Sequence, residues 1–112
     1  MYKVLFHTDE NIKLQLTLRN IKNLISDLGE ENLTIEVVLN SEAISLMYKS
    51  NNTYREEIKN LCNKKVSFSV CSNAMKAYGI TKDILLKEAI IVPSGIGQIV
   101  KKQAEGYFYI KS

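Results

Sequence analysis

The chain has 112 residues, 46% of them hydrophobic, with 15 basic residues against 12 acidic ones. That length fits one domain, residues 1–112, and buries enough apolar surface for a core without staples, which excludes a disordered chain and a disulfide scaffold. The net charge of +3 is spread along the chain; Lys64-Lys65 and Lys101-Lys102 are its densest basic spots and read as solvated helix ends, so no nucleic-acid partner is expected.

Residues 2–7 read as a strand buried on both faces, with Val4, Leu5 and Phe6 in a row. Thr8 and Asp9 are N-cap candidates for a long helix. In it Leu14, Leu18, Ile21, Leu24, Ile25 and Leu28 recur at spacings of three and four, and Gly29 supplies the stop. Residues 33–39 are a second strand built on Ile35, Val37, Val38 and Leu39. Ser41 is placed to cap a short helix through Tyr48. Thr53 with Glu56 is a capping box, so a further helix starts there with a stripe of Tyr54, Ile58, Leu61 and Cys62. Residues 66–70 form a third strand, and Cys71 follows it directly. A short helix runs from Ser72 to about Tyr78 and stops at Gly79. Ile84-Leu85-Leu86 belongs to another helical piece. Residues 89–92 are a fourth strand, ended by Pro93, and a helix covers 95–105. Gly106 then leads into a last strand, 107–110, whose direction the pattern leaves open.

Strands alternating with helices predict an α/β fold: a mostly parallel five-stranded sheet with helices on both faces. Such a sheet sets its carboxyl ends along one rim, where open α/β sheets bind ligands. His7, Asn40 and Cys71 end the first three strands, and Pro93, Ser94 and Gly95 follow the fourth. If strands one and three are adjacent, His7 and Cys71 lie within about 10 Å of each other.

Cys71 is the best candidate for a reactive atom. It sits at a helix entrance, where unpaired N–H groups and the helix dipole favour the thiolate. Lys76 in the same helix adds positive potential, and Ser72 and Asn73 line its start. An inert residue packing the strand end is the competing reading. Cys62 joins the apolar stripe of its helix at the far end of the third strand, about 17 Å away, too far for a disulfide. His7 is a candidate base or donor near Cys71, or a satisfied polar residue at a strand end. One histidine and two separated cysteines do not build a zinc site. Pro93-Ser94-Gly95-Ile96-Gly97 can cradle an anion or only turn tightly, and Ser94 and Ser72 read as helix caps. Tyr107, Phe108 and Tyr109 fit a subunit contact or plain strand packing. No signal peptide opens the chain and no stretch spans a membrane, so the expected compartment is the cytoplasm, with reduced thiols.

Two segments carry a resemblance to a known family. The first is Val66-Ser67-Phe68-Ser69-Val70-Cys71-Ser72-Asn73-Ala74-Met75-Lys76 with Gly79-Ile80. The second is Val92-Pro93-Ser94-Gly95-Ile96 with Gln103-Ala104-Glu105-Gly106-Tyr107 and Tyr109-Ile110-Lys111. Over nearly its whole length the chain resembles the DsrE/DsrF-like family of small sulfur-relay proteins. The resemblance implies a three-layer α/β/α fold, assembly into homotrimers or hexamers, and a persulfide-carrying cysteine at the position of Cys71. It implies donor and acceptor proteins for the sulfur, and no metal or organic cofactor.

Three functions follow as expectations. The first is a sulfur carrier or sulfurtransferase component acting through Cys71. The second is a binding module that holds a small anion or nucleotide at the rim around His7, Asn40 and Ser94, with Cys71 only lining the pocket. The third is a structural oligomer without chemistry.

Overall fold

Runs of β-branched and aromatic residues alternate with amphipathic stretches along the chain, and the computed structural model describes all residues 1–112. The apolar runs become β1 (Tyr2–Thr8), β2 (Leu33–Leu39), β3 (Val66–Cys71), β4 (Ala89–Val92) and β5 (Phe108–Lys111). They form one sheet in the order β4-β3-β2-β1-β5. Every neighbouring pair is parallel, so β5 runs with the rest. The amphipathic stretches become α1 (Leu14–Leu28), α2 (Arg55–Cys62), α3 (Ser72–Ala77) and α4 (Gly95–Ala104).

The layers follow from the strand order. The chain steps from β1 to β4 in one direction, so right-handed crossovers put α1, α2 and α3 on one face. The connection from β4 to β5 runs back across the sheet, which puts α4 on the opposite face. Side chains obey this division. Val4, Phe6, Ile35, Val37, Phe68 and Val70 pack with Leu14, Leu18, Ile21, Ile25, Ile58 and Leu61 in the main core. Leu5 and Val38 point the other way and meet Ile99 of α4. Each fully buried large apolar side chain in the main core contributes roughly 1.5–3 kcal/mol.

The helix starts depart from the sequence reading. Thr8 remains in β1 and Asp9 pairs with Lys111 at 3.0 Å, so neither caps α1, which follows a 3-10 turn, Asn11–Lys13. Ser41 takes φ 52°, and Asn40 in its place occupies the N-cap position of the short helix, which is a 3-10 helix, Ser41–Met47. The Thr53 capping box does not form. Asn51 Oδ1 accepts the Thr53 N–H at 3.3 Å, the chain turns there, and α2 opens after Tyr54 with no side-chain cap. Leu85 and Leu86 lie outside the 3-10 turn Lys82–Ile84, because Leu85 bridges Tyr48 in an extended conformation. Gly29 ends α1 at φ 87°, a conformation that glycine adopts without strain.

No helix is long and apolar enough to cross a membrane.

Candidate functional site

Adjacent strands whose outgoing connections pass to opposite faces leave a crevice at their carboxyl ends. In this sheet that divergence falls between β3 and β4, since β3 leads to α3 on one face and β4 to α4 on the other. Cys71 is the last residue of β3 and pairs in register with Val92, the last of β4. It is also the N-cap residue of α3, with φ −69° and ψ 117°. The N-terminus of α4 arrives beside it. A Cβ added to Gly95 would lie 3.4 Å from Cys71 Cβ and 3.1 Å from Asn40 Cβ, so glycine lets α4 settle this close to the sheet. Ser94 caps α4, its Oγ accepting the Gly97 N–H at 3.1 Å. The thiol thus stands where two helices begin, an environment that favours negative charge. Only 7% of Cys71 is exposed, and Ala74 and Met75 join it in the main core.

His7 is not a direct neighbour of Cys71, because β2 lies between β1 and β3. Its imidazole is pinned at both nitrogens. Nε2 lies 2.9 Å from Asn40 Oδ1, and Nδ1 lies 2.7 Å from the Tyr109 hydroxyl. An amide oxygen only accepts, so Nε2 carries the proton and Nδ1 accepts the Tyr109 O–H. Asn40 therefore links the histidine to the Gly95 and Cys71 side of the rim. Of the other predicted residues, Ser72 is the first residue of α3, with Cys71 taking the capping position. Asn73 and Lys76 are exposed on α3, and Lys76 falls in its last turn, away from the thiol.

Tyr109 escaped the sequence reading as a partner of His7, since 102 residues separate them. A second unpredicted group lies beneath α4. Glu36 is buried, and its Oε2 accepts from Ser69 Oγ and Gln98 Nε2, each at 2.8 Å. Its Oε1 lies 3.5 Å from Lys102 Nζ. Lys102 Nζ also sits 5.1 Å from the centre of the Tyr107 ring. A lone carboxylate between Ile35 and Val37 is the sequence signal that marks this site.

The two cysteines are both free. Burial pushes the Cys62 thiol pKa up, and the nearby Glu88 carboxylate adds to the rise. No group of three or more His, Cys, Asp or Glu side chains converges as metal ligands would. The two surface pockets lie away from the rim, one between α1 and β5 around Phe6, Leu24 and Ile110, the other beside α2.

The model of the DsrE/DsrF-like family matches residues 3–112. No curated protein matches the chain. Among solved structures, a protein of unknown function from Methanobacterium thermoautotrophicum, MTH1491, is 36% identical over 100% of both chains, with a TM-score of 0.92. The ychN protein from E. coli superposes over 100% of both chains with a TM-score of 0.84 at 15% identity, a likeness of fold alone.

Proposed function

The chain belongs to the DsrE/DsrF-like family, a family associated with sulfur relay, and on that premise we propose that Cys71 accepts and donates sulfane sulfur as a persulfide. One observation carries the reading: Cys71 ends β3 at the divergence of α3 and α4, with two helix starts beside its side chain. The chemistry needs a thiolate nucleophile and a stabilised terminal persulfide anion, and helix N-termini favour both.

Loading is an exchange. The Cys71 thiolate attacks the outer sulfur of a donor persulfide. A Cys71 Sγ–S bond forms, the donor's S–S bond breaks, and its inner sulfur leaves as a thiolate. The outer sulfur keeps its proton or releases it to solvent. Unloading repeats the step with an acceptor thiolate as the attacker and the Cys71 thiolate as the leaving group. Sulfane sulfur moves intact, so no external oxidant or reductant takes part. Burial raises the Cys62 thiol pKa, which lowers its thiolate fraction. The near-closure of Cys71 suits a one-atom cargo and calls for a donor that presents its persulfide on a slim chain. The homo-oligomer implied by the family resemblance is part of this reading, with the outer side of α4 as the contact between copies.

The test is the mass of the native protein after incubation with a persulfide donor, compared with Cys71→Ser and Cys62→Ser. The expected result is a reducible gain of one sulfur, about 32 Da, in the wild type and in Cys62→Ser but not in Cys71→Ser. A gain retained by Cys71→Ser, or no gain from inorganic polysulfide or a protein persulfide, sinks the proposal.

A further inference from the structure

The second surface pocket lies at the opposite end of β4 from the thiol. It is a space of about 470 Å³ lined by Lys49, Arg55, Lys59, Leu86, Lys87 and Glu88. Four of these side chains are cationic, one is acidic, and Leu86 alone is apolar. We propose that this pocket binds a compact, multiply charged oxyanion of the phosphate class, such as a pyrophosphate or the phosphate end of a small metabolite.

The walls are held before any ligand arrives. The Lys49 N–H donates to the Ile84 carbonyl and the Leu86 N–H to the Met47 carbonyl, each at 2.8 Å, around the Tyr48–Leu85 bridge. This ties the segment carrying Lys49 to the segment carrying Lys87. A pocket already assembled loses little entropy on binding. Arg55 is the first residue of α2, and Lys59 follows one turn later on the same side. Arg55 Nη2 donates to the Lys49 carbonyl, which ties the start of α2 to the segment carrying Lys49.

The guanidinium of Arg55 lines the pocket beside three lysines. Its fixed charge and the lysine ammonium groups offer an oxyanion charge-assisted hydrogen bonds, the contacts by which proteins hold phosphate. The count of cations selects phosphate over a single carboxylate. The lining contains no aromatic side chain on which a base stacks, which favours a small charged ligand over a nucleic-acid strand. Glu88 is the one repulsive group, and it also lies close enough to Cys62 to raise that thiol's pKa. The site shares no residue with the Cys71 rim, so it stands or falls separately from the sulfur-relay proposal.

The experiment is isothermal titration of the full chain with inorganic pyrophosphate at low ionic strength, with thermal melting alongside. Saturable binding and a rise in Tm are expected. Arg55→Gln and Lys87→Gln should each weaken the affinity about tenfold or more. Cys71→Ser should bind as the wild type does. Lys87→Gln touches only an exposed residue, so it keeps the test valid should Arg55→Gln impair folding. Absence of heat and of a Tm shift at millimolar pyrophosphate overturns the proposal. So does an equal loss in Lys101→Gln, an exposed lysine of α4 on the opposite face of the sheet, which marks diffuse charge. Binding of a single-stranded RNA oligomer more tightly than pyrophosphate also overturns it, in favour of a macromolecular partner.

Discussion

His7 has a buried imidazole with a partner for each nitrogen, and that fixes its orientation. With Nε2–H donating to Asn40 Oδ1 and Nδ1 bonded to the Tyr109 hydroxyl, the ring is already oriented. Tyr109→Phe removes one hydrogen bond and leaves Nδ1 without its donor, so it should lower stability by about 1–2 kcal/mol in urea denaturation. Asn40→Ala should cost a similar amount and also slow sulfur loading, because Asn40 borders Gly95 and Cys71 as well as His7. If Asn40→Ala loads sulfur at the wild-type rate, the His7 group serves only to fasten β1, β2 and β5 together at the rim. Cys71 and His7 are both legible in sequence as strand-end residues. Their true relation is not, because it depends on β2 standing between them and on a tyrosine at the far end of the chain.

Helix α4 shows how one buried charge holds an element in place. Apart from Ile99, its inner side is polar, with Gln98 and Lys102 both directed at Glu36. Burial pushes the Lys102 pKa down; the charges of Glu36, Tyr107 and Glu105 outweigh it, and the net shift is upward from 10.5. A cation whose folded pKa is raised lends stability that is fully present below the unfolded value and lost as pH rises through the folded one. Wild-type stability should therefore fall more steeply above about pH 10.5 than that of Lys102→Met. Denaturation curves of the two proteins across pH 8–12 check this, since their shared tyrosines and other lysines cancel in the difference. Parallel slopes would show that the ion pair adds nothing to the hydrogen bonds of Ser69 and Gln98. The elements themselves were readable from apolar periodicity, which survives into the structure in α1 and in all five strands. The caps were not. Ser41 and Thr53 have the right chemistry for N-caps, but Ser41 takes a positive φ with Asn40 at the capping position, and Asn51 Oδ1 takes the Thr53 N–H. At Thr53 the local motif loses to a neighbour that offers the backbone a competing hydrogen bond.

At the scale of the molecule, the two faces of the sheet are covered unequally. Three helices and a 3-10 helix bury one face, while α4 alone covers the other, over a small cluster of Leu5, Val38 and Ile99. The outer side of α4 is itself apolar: Ile96 and Val100, four residues apart on one side of the helix, are 58% and 63% exposed. Ile90, in register with Ser69, adds to the same face of the sheet and is also exposed. No local sign in the sequence tells Ile99, which meets the sheet, from Ile96 and Val100, which do not. A second copy of the chain is the occupant that the family resemblance implies, and packing two such stripes together removes both from water. Val100→Glu should therefore reduce the assembly to the 12.7 kDa chain in light scattering, with the fold intact, because the position carries no core contact in the single chain. A wild-type protein that is already monomeric at micromolar concentration, or a variant of unchanged oligomeric mass, would refute assembly through this face. Since α4 begins beside Cys71, a copy seated on it also lies next to the rim. A monomeric variant that still folds but no longer takes up sulfur would mean that assembly completes the site, whereas undiminished uptake would mean that each chain carries its sulfur alone.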